Sequence, residues 1–386
     1  ATRNYIGIVS TVNCSATVTK MIVEKIKYSN ILNDYPNIDG IVPITHSTGC
    51  GMNTVSEGMQ MFQRTIDGFK NHPNFSHVFV IGLGCECAQV SLFDESVKKH
   101  NRIHFLTIQD EGGTKKIVEK VLSQIKNLLP EANKIKRTPQ SVNHLTLALQ
   151  CGGSDGYSGI TANPALGVAA DLLVKKGGSS ILSETPEIYG AEHLLINRAN
   201  SQKTADKLIE RLKWWKNYTS INNSTMDNNT APGNKRGGLT TILEKSLGAV
   251  AKGGKSILED VLEYAEPLKN KGFNFMDSPG YDPVSVTGQV ASGANVICFT
   301  TGRGSCFGCK PVPSLKLSTN TAMYEKMEED MDINCGTIAE GKEDIEKVGN
   351  RIFDLVVNTA SGNKSKSEIN GYGDEEFNPW QVGVVM

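Results

Sequence analysis

The sequence predicts an α/β protein of two domains, and three observations support this prediction. Short apolar runs alternate with amphipathic helical patterns through the first third of the chain, which is typical of a parallel sheet covered by helices on both faces. At 386 residues the chain is long for a single core. The segment 130–141 is basic, polar and aperiodic, so we interpret it as a linker between a first domain at 1–138 and a larger α/β domain at 142–386.

Four predicted strands build the first domain, which we expect to be Rossmann-like or flavodoxin-like. Their apolar runs are NYIGIVST, DGIVPITH, HVFVIGLG and RIHFLTIQ. Helical patterns follow the first strand and cover 114–128. Ligands bind beyond the carboxyl ends of the strands in such sheets, so the residues after each run are the candidates for a site.

Thiol and imidazole side chains follow three of these strands. Cys14 comes after the first strand and Cys85 after the third, while His46 and Cys50 both follow the second. Because the carboxyl ends of parallel strands share one edge of the sheet, we expect these side chains to meet there. Thiolate and imidazole suit iron or zinc better than magnesium. The pattern therefore predicts a metal site, for which Cys151 of the second domain is a further candidate ligand.

The second domain is predicted to begin with a strand that ends at Cys151 and runs into a loop dense in Gly, Ser, Asp, Thr and Asn. Pro164 then opens a helix. Backbone N–H groups and the positive end of the helix dipole favour an anion at such a place, and glycines let a ligand approach the main chain. The candidate ligand contacts of this loop are Ser154, Asp155, Ser158, Thr161 and Asn163.

A second strand of this domain is predicted to end at Ser183 and to lead into a helix with acid/base side chains. Glu184, Glu187 and His193 form this compact set, without a ranking among them. Further predicted elements are helices over 201–218 and 239–251, a long polar segment over 219–238 that is a lid or a loop over a site, and a strand over 294–301.

Three cations stand near these elements. Arg303 lies in a TGRG sequence after a predicted strand, and arginine binds carboxylates through two parallel hydrogen bonds. Lys235 and Lys245 are candidates of the same kind, and we place Lys245 with the catalytic group.

Composition excludes several classes of function. Charged residues make up 21% of the chain with a net charge of −1, so no basic surface for nucleic acid or anionic membrane is expected. No apolar run approaches the ~20 residues that span a bilayer, and the nine cysteines lie beside small polar residues; we expect a cytoplasmic protein with reduced thiols. No phosphate-binding glycine motif follows a strand. GGSDG matches a serine-hydrolase motif only in letters, because polar loop intervenes before the helix.

Several long motifs resemble the altronate/galactarate dehydratase family of bacterial sugar-acid dehydratases. They are HPNF, IGLGCE, GGSDGYSGITANPALG, PGNKRGGLTTILEKSLG and TTGRG. The resemblance implies a hydro-lyase that removes the α-proton and the β-hydroxyl of a sugar acid, such as altronate or D-galactarate, and yields a 2-keto-3-deoxy acid. It also implies dependence on iron(II) or manganese, with a mononuclear ion and an iron–sulfur cluster both open.

On this resemblance, iron held by His46 and some of the cysteines would coordinate the substrate, while Arg303, Lys235 and the loop after Cys151 would hold its anionic and hydroxyl groups. Family members usually begin with a small N-terminal domain, so the resemblance implies a separate subunit or a domain outside this sequence. A homodimer is the default expectation. Two alternatives stay open: a lyase for another small hydroxy acid such as sulfolactate, and a non-catalytic iron-binding or redox-sensing module.

Overall fold

The computed structural model describes residues 1–94 and 101–383 and divides them into two compact units. The first unit contains residues 1–139, and the second begins at Gln140.

Two short later segments, 309–311 and the tail from Gly373, belong to the first unit, although the sequence assigned them to the second domain. Within the first unit, the carboxylate of Asp374 in this tail binds the ammonium groups of Lys27 and Lys310, each at 2.8 Å. These ion pairs fasten the tail to its unit and could not be read from the sequence.

The first unit is a four-stranded parallel sheet flanked by helices. Its strands are β1 (Tyr5–Ser10), β2 (Gly40–Ile44), β3 (Phe75–Gly82) and β4 (Ile103–Thr107). Its helices are α1 (Asn13–Ser29), α2 (Glu57–Lys70), α3 (Val90–Asp94) and α4 (Thr114–Ala132). The strand order β2-β1-β3-β4 is the first part of the flavodoxin-like order, and it confirms the four predicted strands.

The alternation of side chains along the strands positions these helices. Ile6 and Ile8 of β1 point to one face and join Phe79 of β3 in a buried cluster with the apolar residues of α1 and α4. Helix α2 packs against β1 and β3 through residues outside that cluster. Helix α4 continues through Pro130 to Ala132, further than predicted, because Leu129 and Ala132 are fully buried.

The second unit is a seven-stranded parallel sheet with order β11-β10-β9-β5-β6-β8-β7. Its strands are β5 (Thr146–Cys151), β6 (Ser179–Ser183), β7 (Leu258–Leu262), β8 (Gly272–Met276), β9 (Val296–Thr301), β10 (Ser314–Ser318) and β11 (Ile333–Asn334). Its helices are α5 (Ala162–Lys175), α6 (His193–Ile196), α7 (Gln202–Ile221), α8 (Pro232–Arg236), α9 (Ile242–Ala251), α10 (Asp282–Ala291), α11 (Thr321–Lys326), α12 (Ile345–Ala360) and α13 (Lys366–Ile369). None of the helices in the described ranges is long and apolar enough to cross a membrane.

Two features of this unit differ from the prediction. The segment after β6 is not one helix: a 3₁₀ helix, Thr185–Ile188, carries Glu187, and the separate helix α6 begins at His193. Gly190 lies between them with φ of +90°, a backbone conformation that ends a helix. Strands β7, β8, β10 and β11 were not predicted, because each is a run of five residues or fewer that contains a charged or polar residue.

The sheet reverses its winding next to β5. The chain leaves β5 toward β6, but it leaves β9, the other neighbour of β5, toward β10. Open α/β sheets bind ligands in the crevice outside the carboxyl ends of the strands at such a switch point. The residues that follow β5, β6 and β9 are therefore in the right place for a site.

Candidate active site

A buried group of ionisable side chains lies at the carboxyl ends of β5 and β6. Cys151 ends β5, Glu184 directly follows β6, and Glu187 lies in the 3₁₀ helix after it. Lys245 projects from α9, and Lys252 caps its C-terminus. The sulfur of Cys151 and one oxygen from each glutamate lie within 4.8 Å of one another. We call these residues the lysine–carboxylate cluster.

Each lysine of the cluster contacts acidic groups directly. The Lys252 ammonium lies 2.8 Å from Cys151 Sγ and 3.8 Å from Glu184 Oε2. The Lys245 ammonium lies 2.6 Å from Glu187 Oε1 and donates a hydrogen bond to the side chain of Asn229 at 2.8 Å. Cys151 Sγ is also 3.5 Å from Glu187 Oε2, so the two lysines belong to one connected network.

Glu184 is the unusual member of the cluster. Its side chain is fully buried, and neither carboxyl oxygen has a hydrogen-bond partner. Its backbone has φ of +76°, a left-handed conformation that costs about 1–3 kcal/mol in a residue with a side chain. Ser278 holds it there: its Oγ accepts from Glu184 N at 3.0 Å, and its carbonyl accepts from Thr185 N at 3.0 Å.

The cluster pushes the pKa values of its two glutamates apart. Burial and the neighbouring charge of Glu187 raise the pKa of Glu184 well above its ordinary value. Burial also opposes ionisation of Glu187, but the ammonium groups of Lys245 and Lys252 outweigh it and lower the pKa of Glu187. Burial raises the pKa of the Cys151 thiol to about 12 despite Lys252. The two neighbouring glutamates are therefore driven toward opposite protonation states, the arrangement that divides acid and base roles in enzymes.

A pocket adjoins the cluster and contains about 220 Å³ of empty space, part of it open solvent. Cys151 and Lys245 form its cluster side, and Ser154, Ser158 and Asn163 of the predicted loop form another. The remaining wall comes from Gly159, Leu239, Glu244, Gly248 and Ala249. A Cβ atom at Gly159 would be 3.2 Å from the Gly248 Cα, so glycine lets the loop pack closely on α9.

Several loop residues predicted to contact a ligand hold the loop in place. Asp155 Oδ1 accepts from the Tyr157 amide and from the hydroxyls of Ser158 and Thr319, at 2.9–3.1 Å. Thr161 Oγ1 lies 2.8 Å from each of two carbonyls. The Asn163 side chain bonds the Gly248 carbonyl at 2.9 Å. The structure thus gives Asp155 and Thr161 a supporting role, while Ser154, Ser158 and Asn163 line the pocket.

The two predicted cations outside the cluster flank the loop. Arg303 is exposed, and its backbone amide donates to the Gly153 carbonyl at 3.0 Å. Lys235 is exposed on α8, whose following residue Gly237 accepts a bond from Gly156 N at 2.8 Å. Both side chains are therefore accessible to an anion. His193 is exposed at the start of α6 and is outside the cluster.

Two residues near the cluster were missed. Lys252 is fully buried, which its sequence context does not indicate, because lysines are almost always exposed. Asp282 begins α10, and its Oδ2 lies 2.1 Å from where a Cβ on Gly152 would be. Burial and the charge of Glu187 raise the pKa of Asp282 to about 7. It follows β8 by a short loop. The rule that ligands bind beyond the carboxyl ends of parallel strands, called here the strand-end rule, would therefore have found Asp282 had β8 been recognised.

The predicted metal ligands of the first unit differ in their burial and in their hydrogen bonds. His46 is buried, with Nε2 2.8 Å from the Ser10 carbonyl and Nδ1 accepting from Thr48 N at 3.2 Å. Burial lowers its pKa to about 4. Both ring nitrogens are therefore occupied by the main chain, and the structure does not support His46 as a ligand. Cys14, Cys50 and Cys85 are exposed, and they form no three-ligand group within 4.8 Å among the described residues.

Comparison with known proteins identifies both units. The family described as D-galactarate/altronate dehydratase, C-terminal, matches residues 142–385, and the second domain of D-galactarate dehydratase/altronate hydrolase matches 1–133. A galactarate dehydratase (L-threo-forming) of Escherichia coli is 39% identical over 94% of this chain and 71% of its own length. Altronate dehydratases of E. coli and Bacillus subtilis are 33% and 34% identical over the whole chain and 76% of theirs. The (2R)-sulfolactate sulfo-lyase subunit beta of Chromohalobacter salexigens is 28% identical over 87% of this chain and 86% of its own.

Matches that run through both units define the class of protein: the chain is a carbon–oxygen lyase of the dehydratase type. It belongs to the D-galactarate/altronate dehydratase family, which confirms the resemblance of its motifs.

Asp282 makes the stability of the protein depend on pH. Its folded-state pKa of about 7 exceeds its ordinary value of 3.8, so the folded chain binds more protons than the unfolded chain between these values. Stability therefore falls as pH rises through this window, by up to about 1.4 kcal/mol per pH unit. We expect Asp282→Asn to remove this loss. Its free energy of unfolding in urea, relative to that of the wild type, should therefore increase from pH 4 to pH 7. The exposed Asp206→Asn variant is the control, and parallel curves for wild type and Asp282→Asn would contradict the assignment.

Proposed function

We propose that the protein dehydrates a six-carbon sugar acid of the galactarate or altronate type to a 2-keto-3-deoxy acid. The observation that carries the proposal is the lysine–carboxylate cluster beside a polar pocket, in a chain whose relatives of 33–39% identity are galactarate and altronate dehydratases.

Dehydration of a sugar acid requires three things of its site. The proton α to a carboxylate is weakly acidic, so a base must remove it while nearby cations stabilise the developing charge on the carboxylate. Hydroxide is a poor leaving group, so an acid must protonate the β-hydroxyl as it departs. The site must also hold a polar, anionic molecule.

The cluster contains groups suited to each task. Glu187 is the ionised carboxylate, and we assign it as the base. Glu184 retains its proton and is assigned as the acid for the departing hydroxyl. Lys245 is at the pocket wall, where its ammonium would stabilise the charge on the substrate carboxylate. Lys252 keeps Cys151 and Glu184 in place through contacts of 2.8 and 3.8 Å.

Groups around the pocket would bind the rest of the substrate. Ser154 and Ser158 line the pocket with hydroxyl groups that can bond the hydroxyls of a sugar acid. Arg303 and Lys235 are exposed beside the same loop, and arginine is well suited to a distal carboxylate. His193 has no part in this assignment, because it is exposed outside the cluster.

We propose iron as the cofactor, with manganese as the alternative. The lysine–carboxylate cluster does not fit a metal ion, because Cys151 and Glu187 already contact buried ammonium groups that would repel a divalent cation. The exposed thiols of Cys14, Cys50 and Cys85 do fit, since soft thiolates suit iron. Bound iron would supply a Lewis acid that polarises a hydroxyl or carboxyl oxygen.

We also propose that the protein is a cytoplasmic homodimer. All nine cysteines are free in the structure, as expected in a reducing compartment. The relatives extend beyond the matched region by about a quarter of their length, and a small N-terminal-domain subunit is the proposed further partner.

Light scattering tests the homodimer and should give twice the chain mass. A monomeric mass across micromolar concentrations would contradict the dimer.

Turnover tests the function directly. The protein, purified without oxygen and supplied with iron, is expected to form a keto acid from galactarate or altronate. Lys245→Met and Glu187→Gln should each lower kcat by about 10²–10⁴-fold, because one removes the charge stabilisation and the other the base. Lys269→Met makes the same substitution at an exposed lysine. It is the matched control and should retain wild-type kcat.

The alternatives predict other results in the same assay. Turnover of (2R)-sulfolactate in place of both sugar acids would assign the chain to the chemistry of its more distant relative. Absence of turnover with all three acids despite stoichiometric iron would favour a non-catalytic iron-binding module. Full activity of Lys245→Met would remove the cluster from the mechanism.

A further inference from the structure

Three exposed thiols lie at one edge of the first sheet. Cys14 is the second residue of α1, directly after β1, while Cys50 follows β2 and Cys85 follows β3. These strands are parallel neighbours in the order β2-β1-β3, so all three cysteines lie at their shared carboxyl edge.

Hydrogen bonds join the three loops through residues adjacent to the cysteines. Asn13 N donates to the Thr48 carbonyl at 2.9 Å, and Ala88 N donates to the Gly49 carbonyl at 3.1 Å. Thr11 Oγ1 donates to the Glu86 carboxylate at 2.8 Å. A Cβ atom on Gly49 would be 2.2 Å from the Thr11 carbonyl, so only glycine allows the Cys50 loop to lie against the end of β1. The loops are built as one assembly.

The exposure of these thiols needs an explanation. Unpaired cysteine is among the most buried residue types, and Cys151, Cys298, Cys309 and Cys335 follow that rule. Cys14, Cys50 and Cys85 are exposed although their loops are joined by hydrogen bonds. Exposed thiols held together in ordered loops are typical of ligands or reactive groups.

The surroundings of Cys14 and Cys85 suit ligands of a bound cluster. Cys14 lies in the first turn of the 17-residue helix α1, whose N-terminus carries no acidic residue and no side-chain cap. Gln109 Nε2 donates to Cys85 Sγ at 3.6 Å, and hydrogen bonds to sulfur are one of the features that adjust iron–sulfur sites.

The spacing of the strands favours a cluster over one metal ion. Ligand atoms of a single tetrahedral ion lie about 2.3 Å from the metal, so its sulfurs must nearly touch. Neighbouring strands are ~4.8 Å apart, and thiols that follow three adjacent strands are spread over one to two such spacings. Among the described residues these thiols form no compact single-ion group, and His46, the imidazole nearest in sequence, has both nitrogens bonded to the main chain.

We propose that Cys14, Cys50 and Cys85 hold a [4Fe–4S] cluster, with the fourth iron left open to a small oxygen ligand. The inference deepens the proposed use of iron and names its form and its ligands. It assigns His46 a positioning role: its ring, 4.8 Å from that of Phe62, supports the Thr48–Cys50 loop through Thr48 N.

Iron and sulfide content test the assignment. The full chain, reconstituted without oxygen, should bind about four iron and four sulfide per chain and show broad visible sulfide-to-iron absorption, with a paramagnetic signal after reduction. Cys14→Ser, Cys50→Ser and Cys85→Ser should each lose most of this iron and sulfide. Cys87→Ser in the same loop and the exposed Cys306→Ser of the second unit are matched controls that should retain it, and circular dichroism checks that every variant folds.

Each contrary result is distinct. One iron per chain without sulfide would overturn the cluster in favour of a mononuclear site, and loss of sulfide in Cys87→Ser alone would overturn the ligand set. Gln109→Leu should keep its iron but lower the reduction potential, because the bond to sulfur stabilises the more negative reduced state; an unchanged potential would remove Gln109 from the site. A loaded cluster without sugar-acid turnover would leave this inference standing and refute the proposed function. Sugar-acid turnover by protein that takes up no iron and sulfide on reconstitution would refute this inference and leave the proposed function standing.

Discussion

The site of the second unit depends on the balance of buried charge. Lys252 has no exposed surface, and an isolated buried ammonium would be prohibitively unstable. Lys252 lies 2.8 Å from Cys151 Sγ and 3.8 Å from Glu184 Oε2. The carboxylate of Glu187, whose pKa both ammonium groups lower, offsets the charge of Lys252 and of its direct partner Lys245. Because buried ion pairs seldom add net stability over apolar packing, such a network is better explained by chemistry than by folding. The left-handed backbone of Glu184 is a second cost at the same place.

Parallel strand pairing explains why both units carry their chemistry on one edge. Every strand pair of the two sheets is parallel, so the loops that leave the strands at their carboxyl ends gather side chains distant in sequence. In the first unit this edge carries thiols on loops joined by hydrogen bonds. In the second it carries carboxylates, lysines and a pocket. Parallel strand pairing thus brings together thiol-bearing loops in the first unit and carboxylates and lysines in the second.

The strand-end rule also decides how much could be predicted. It found Cys151, Glu184 and Glu187, which the structure brings together, and the three exposed cysteines, because each follows an apolar run that is easy to recognise. It missed Asp282, since the short strand β8, interrupted by Asn274, escaped recognition. It also missed Lys252, since burial of a lysine depends on partners 68 and 101 residues away. Local sequence pattern could not show that the polar atoms of His46, Asp155 and Thr161 are used in hydrogen bonds that hold the loops in place. Those bonds exist only in the folded chain.

The central claim is that two adjacent buried glutamates differ in protonation at neutral pH. Infrared difference spectroscopy measures this directly, because a protonated carboxyl group has a carbonyl stretch that a carboxylate lacks. Asp282, with a pKa of about 7, would contribute to the same region, so the comparison is made in an Asp282→Asn background. There we predict a buried carboxylic-acid band at pH 7 that disappears on adding Glu184→Gln and persists on adding Glu187→Gln. Absence of the band in Asp282→Asn alone, or its loss on adding Glu187→Gln with retention on adding Glu184→Gln, would contradict the account.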